Sequence, residues 1–197
     1  MRGKLLALRR ATGAPAEMSD VALLAACAVG EATALGAMFD RHRATVQRLL
    51  ARLAGADQHC TDDLVQETFL QVQRSAARFA GRSSVKTWIL GIAANLARHH
   101  RRTEARRRTA STEFITQPQR APTTPHELAC KHQFVAQLQH ALAALPHEQR
   151  EVFVMCDLED VSGAEAAAVL GIREGTLWWR LSEARKALRA ALEGMTP

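Results

Sequence analysis

The residues best suited to do chemistry in this sequence are cationic. The run RHHRRTEARRR, from Arg98 to Arg108, holds six Arg and one Glu, a local charge of +5 with His neutral. That nearly equals the net +6 of the whole 197-residue chain. Concentrated positive charge of this kind neutralises a polyanion, and phosphate diesters are the commonest partner. A solvated helix end leading into a basic linker would look the same by charge alone. A second basic set lies at Arg173, Thr176, Trp178, Trp179, Arg180, Ser182, Glu183, Arg185 and Lys186. Arg and Lys hold phosphates, Arg also reads guanine, and Glu accepts from cytosine N4. No GxxxxGK[ST], GxSxG or HExxH is present, so nothing marks a catalytic centre, and no cofactor or small-molecule substrate is expected. His126, Cys130 and His132 lie close together, but His132 falls off the helical face of the other two and no fourth ligand is evident. No metal is expected.

These groups need helices to carry them. Aromatic residues are 5% of the chain, Tyr is absent and Ala is abundant, which favours helix over sheet. Leu35, Met38, Phe39, Val46, Leu49, Leu50 and Leu53 recur at helical spacing, and the pattern reads as helix from Asp20, behind a Ser19 cap, to Ala54. After the break at Gly55, Thr61 is placed to cap a helix with the stripe Leu64, Val65, Thr68, Phe69 and Val72. A loop at Gly81–Ser84 leads to a third helix, striped by Trp88, Ile89, Ile92, Ala93 and Leu96, that runs into the Arg cluster. STEFITQPQRAPTTP then reads as linker by its Pro, Thr and Gln content. Helical pattern resumes after Pro125, and Pro146 opens a further helix.

Val161 to Leu192 has helix-turn-helix spacing. Ser162 caps a short helix, Gly171 supplies a left-handed stop, and a second helix begins near Glu174 with Leu177, Leu181, Ala184 and Leu188 inward. A plain helical hairpin would share these features. Adjacent Trp178 and Trp179 cannot both point inward, so at least one is expected at the surface. The expected fold class is all-α, with two helical domains joined by a flexible linker. No stretch approaches the length of a membrane span, and the apolar part of MRGKLLALRR is too short for a secretory signal. A cytoplasmic chain is expected, with Cys27, Cys60, Cys130 and Cys156 reduced and at least partly buried.

Two stretches resemble a known family. FDRHRATVQRLLARL…DDLVQETFLQVQRSAARFAGRSSVKTWILGIAANLARHHRR is similar to the second domain of sigma-70 factors of the extracytoplasmic-function group. ALAALPHEQREVFVMCDLEDVSGAEAAAVLGIREGTLWWRLSEARKALRAAL is similar to their fourth. Together they cover roughly residues 31 to 102 and 128 to 192.

Residues 1–18 read as a basic extension, with Met18 a second candidate start, and 105–126 as linker; the resemblance makes 19–104 domain two and 127–197 domain four. It implies that core RNA polymerase is held by Asp62, Asp63, Leu64, Gln66, Glu67, Phe69 and Leu70. It implies that −10 DNA is captured by Arg78, Gly81, Arg82, Ser83, Ser84, Lys86, Asn95, Arg98, Arg101 and Arg102, with Trp88 either core or pocket. The −35 element would fall to the outward face of the last helix, where Trp179 and Glu183 depart from the commoner family pattern. An anti-sigma factor is the further partner implied. A helix-turn-helix regulator that never touches polymerase would explain only the C-terminal half.

Overall fold

The computed structural model describes residues 17–54, 58–110 and 137–193. The basic extension before residue 17, most of the linker, and His126, Cys130 and His132 lie outside the described residues.

Ser19 starts the first helix, α1 (Asp20–Ala28), its Oγ accepting the Ala22 amide at 3.3 Å. The helical pattern does not run on to Ala54 unbroken. Gly30, at φ 90°, breaks it, and α2 (Ala32–Ala54) begins beyond the turn. The Ala-rich run hides this turn, because its break depends on one left-handed residue that glycine adopts without a Cβ clash. The third helix also starts earlier than a Thr61 cap would allow. α3 runs Gln58–Ser75, and Thr61 sits inside it, 4% exposed. A short 3-10 turn, Ala76–Arg78, follows. In the next helix, α4 (Val85–Ala110), Ser84 accepts the Thr87 amide at 3.0 Å, an N-terminal cap. α4 carries on six residues past 104, so the arginine run is helical through to its end.

These helices bury Met38, Val46, Leu49, Leu50 and Leu53 of α2 against Val65, Phe69 and Val72 of α3 and Ile89, Ala93 and Ala97 of α4. Phe39 meets Phe69 edge-on, with ring centroids 4.9 Å apart. Thr68 is buried but satisfied, its hydroxyl donating to the Leu64 carbonyl at 2.7 Å.

The C-terminal half opens with α5 over 137–144, followed by α6 (His147–Phe153) and a π turn, Val154–Leu158. Asp160, at φ 54°, then reverses the chain. α7 (Gly163–Leu170) is capped by Ser162, whose Oγ accepts the Glu165 amide. Gly171 ends it at φ 68°, and α8 (Glu174–Glu193) follows. Leu177, Leu181, Ala184 and Leu188 face inward, as the helix-turn-helix spacing requires. Among the described residues the fold is all-α.

The two halves share one interior. A single buried cluster runs from Leu23 and Met38 through Ile89 to Met155, Ala167 and Leu181. α7 lies against α4 at Gly91, where an added Cβ would come 2.8 Å from the Val169 Cβ. Glycine at that position permits the close approach.

Candidate nucleic-acid interface

The loop after α3 and the first turns of α4 enclose a cleft of about 310 Å³. Arg78, Phe79, Arg82, Ser83, Trp88 and Asn95 line it. Gly81 turns the loop at φ 70°. Phe79 and Trp88 meet edge-on at 5.4 Å. Trp88 is half-buried, so it is both packed and part of the cleft wall. Aromatic faces beside guanidinium groups suit a stacked base and its phosphates. Asn95 is exposed and accepts from Arg98 Nη1 at 3.2 Å. Further along α4, Arg101 and Arg102 point to solvent. The opposite wall is Ala168 and Val169 of α7.

Three groups expected to meet DNA here are instead engaged within the chain. Arg98 Nη2 donates to both carboxylate oxygens of Glu151, at 2.8 and 2.7 Å. The Ser84 amide donates to Glu165 Oε1 at 2.7 Å. Lys86 Nζ donates to the Glu159 carbonyl at 2.8 Å.

The outward face of α8 is the second surface. Trp178 and Trp179 are both exposed, at 51% and 61%. Trp178 leans across Gly163, where an added Cβ would fall 2.5 Å from its ring. Arg173, Ser182, Arg185 and Lys186 are exposed, while Thr176, Arg180 and Glu183 are half-buried. Arg185 is tied by two bonds, 2.8 and 2.6 Å, to Asp157 of the π turn.

On α3, Asp63, Gln66 and Leu70 are exposed and Glu67 is half-buried, all on one face at i, i+3, i+4 and i+7. Asp62 is half-buried and accepts from Gln47. Leu64 and Phe69 do not belong to this surface. They are 8% and 3% exposed, because the same stripe that makes the helix amphipathic turns them into the core.

Residues 38–107 match the family described as sigma-70 region 2, and residues 136–188 match sigma-70 region 4. The ECF RNA polymerase sigma factor SigM of Mycobacterium tuberculosis is 34% identical over 89% of this chain and 86% of its own length. The chain belongs to the extracytoplasmic-function group of the sigma-70 family. Two solved structures share the fold of this sigma factor. CnrH, in complex with the cytosolic domain of CnrY, superposes with a TM-score of 0.67 at 24% identity, over 90% of this chain and 99% of the other. RpoE of Bartonella quintana, in complex with the anti-sigma factor NepR, gives 0.65 at 24% identity, over 79% and 94%.

The sigma factor also carries groups that local pattern does not reveal. Glu151 and Glu159 are 0% and 3% exposed. Arg48 and Arg52 of α2 reach Glu159 at 3.4 and 2.7 Å. Only an unpaired count of acids against the basic cluster would have hinted at them. Cys60 Sγ lies 3.1 Å from His100 Nε2, and Cys27 is buried. Among the described residues no three His, Cys, Asp or Glu converge as a metal site, and no helix is long and apolar enough to cross a membrane.

His147 is 3% exposed at the start of α6, with neither ring nitrogen hydrogen-bonded. Burial, then the nearby Arg101 and Arg150, lower its pKa from 6.5 to about 4; Arg98 adds to this and Glu148 opposes it. A base whose folded pKa is depressed weakens the fold as pH falls through 6.5 towards 4, because the unfolded chain takes up the proton first. From this group alone, unfolding is expected to be about 2 kcal/mol easier at pH 5 than at pH 7. Urea titrations of the wild type and His147→Leu at both pH values check this. The variant should lose that part of the slope.

Proposed function

We propose that this sigma factor docks on core RNA polymerase through Asp63, Gln66, Glu67 and Leu70 of α3, with Asp62 at the rim. It reads −35 duplex with the outward face of α8 and melts and captures the −10 strand at the α4 cleft. The observation that carries the reading is the continuity of one helix. α4 bears an aromatic cleft with Asn95 at its head, and Arg98, Arg101 and Arg102 along its length. Unstacking a base costs a few kcal/mol, and a cleft with stacking rings offsets that cost while the arginines hold the phosphates. The factor supplies recognition and strand opening, and the polymerase supplies the chemistry, so no catalytic residue is assigned. It works in the cytoplasm. An anti-sigma factor is the expected regulator, in line with the likeness to RpoE, whose structure contains one. Domain two then runs from 19 to the end of α4 at Ala110, and a linker over 111–126 before domain four (127–197) lets the two reach the separated promoter elements.

Reconstitution with sigma-free core polymerase on the DNA upstream of its own gene tests this. The expected result is a discrete, heparin-resistant transcript that requires this chain. Duplex binding without core binding or transcription would favour a polymerase-independent helix-turn-helix regulator, the reading that rests on α8 alone.

The seating of Trp178 gives a narrower test. Gly163→Ala suits a helix start, so its effect should come through the displaced indole. We expect affinity for a −35 duplex to fall about 10-fold, the scale of one good base-reading contact. Unaltered affinity would remove Trp178 from the reading surface.

A further inference from the structure

Cys60 and His100 come from different helices and meet at the start of α3. Cys60 is the third residue of that helix and is half-buried, and its Sγ lies 3.1 Å from Nε2 of the half-buried His100 on α4. Two features of the place favour the thiolate, which is the nucleophilic form of cysteine. An imidazole at this distance can take the thiol proton, and the first turn of a helix stabilises negative charge. Cys27 and Cys156 sit differently. Burial pushes the Cys27 thiol up, with a backbone hydrogen bond opposing and Glu31 adding to the rise. Burial does the same at Cys156, where Asp157 adds and Arg185 opposes. Cys60 also borders the exposed face of α3, since Asp63 and Glu67 follow it at i+3 and i+7.

We infer that Cys60 and His100 form a nucleophilic pair that takes up a low-molecular-weight disulfide, and that the adduct closes the docking face of α3 to core polymerase. The second half rests on the reading of α3 as that face. The step is thiol–disulfide exchange. The Cys60 proton passes to His100 Nε2, and the thiolate attacks one sulfur of the disulfide. A new S–S bond forms as the old one breaks, and the departing thiolate takes the proton from His100. No other oxidant is consumed. The mixed disulfide leaves a bulky substituent one turn from Asp63, and a second exchange with a reduced thiol removes it. The factor is thereby withdrawn from polymerase while the surrounding thiol pool is oxidised.

The test uses the full chain and oxidised glutathione at neutral pH, with the adduct at each cysteine followed by peptide mass spectrometry. The urea-unfolded chain gives the rate of an ordinary thiol. Folded Cys60 is expected to react about 10-fold faster than unfolded Cys60, the gain in thiolate fraction that such surroundings bring. His100→Gln should bring Cys60 down to the unfolded rate or below it. A merely structural role for His100 predicts the opposite sign, because loosening the contact exposes the thiol and speeds the reaction. Folded Cys60 that reacts no faster than unfolded Cys60, or a His100→Gln chain that reacts as fast as the wild type, overturns the nucleophilic pair. Core binding is then measured with the glutathionylated chain, the same chain after dithiothreitol, and Cys60→Ser exposed to the same disulfide. Affinity should fall about 5-fold or more in the first alone, the scale of one lost interface contact. An adduct at Cys60 that leaves affinity unaltered overturns the regulatory half. Asp63→Ala/Glu67→Ala in the reduced chain judges the α3 reading separately. If that variant binds core as the wild type does, the α3 reading falls while the exchange chemistry stands.

Discussion

Arg98→Ala is expected to separate the two halves of the protein at pH 7 and to let them come together again in acid. Among the described residues Arg98 is the sole hydrogen-bonding partner of the buried Glu151 carboxylate. Removing one member of such a pair leaves a bare buried charge, at a cost of about 3–5 kcal/mol. Burial already pushes the Glu151 carboxyl upward, and Arg98 opposes that rise. Without Arg98 the carboxyl rises further. An acid whose pKa is raised in the closed arrangement favours that arrangement below the raised value and disfavours it above. Closure should therefore be lost as pH rises and regained as it falls. His147 titrates in the opposite sense, so the cleanest comparison is Arg98→Ala in the His147→Leu background, followed by scattering at pH 7 and pH 5. A variant as compact as its parent at pH 7 would show that the pair contributes little to closure.

Leu181→Ala is the second large effect. Leu181 is 1% exposed on the inner side of α8, where the helix-turn-helix joins the shared core. Alanine is the better helix former, so any loss must come from the cavity rather than from the helix. Truncating a leucine at such a site costs about 2–5 kcal/mol. The outward face keeps every side chain, yet its supports slacken, and affinity for a −35 duplex should fall with stability. Leu181→Met, which conserves volume, should cost less than about 1.5 kcal/mol and recover most of the binding. Urea midpoints read beside duplex titrations check both. A Leu181→Ala protein of unaltered midpoint would mean that the core rearranges to fill the space.

How much of this was legible beforehand depends on the range of the signal. The stop at Gly171, the Ser162 cap and the inward row Leu177, Leu181, Ala184 and Leu188 are local, and each lies where the pattern places it. The exposed tryptophans follow from the geometry of adjacent helical positions. The break at Gly30 was hidden inside an alanine-rich run, since one backbone angle decides it. The resemblance places Leu64 and Phe69 on the polymerase surface, whereas their place in the apolar stripe turns them inward. Nothing local could reveal that Glu151, Glu159 and Glu165 meet α2 and α4. Those pairs join residues 53 to 111 positions apart, and only the packed fold brings them together.

That separation along the chain has a consequence for synthesis. Domain two is translated first, and its helices can pair through contacts among themselves. The carboxylates that cover Arg98 and Ser84 arrive later, after the linker and α5 have been made. At about 5–20 residues per second the ribosome needs on the order of ten seconds to cover that distance. For that interval every nascent copy carries its cationic helix uncovered, tethered beside messenger RNA.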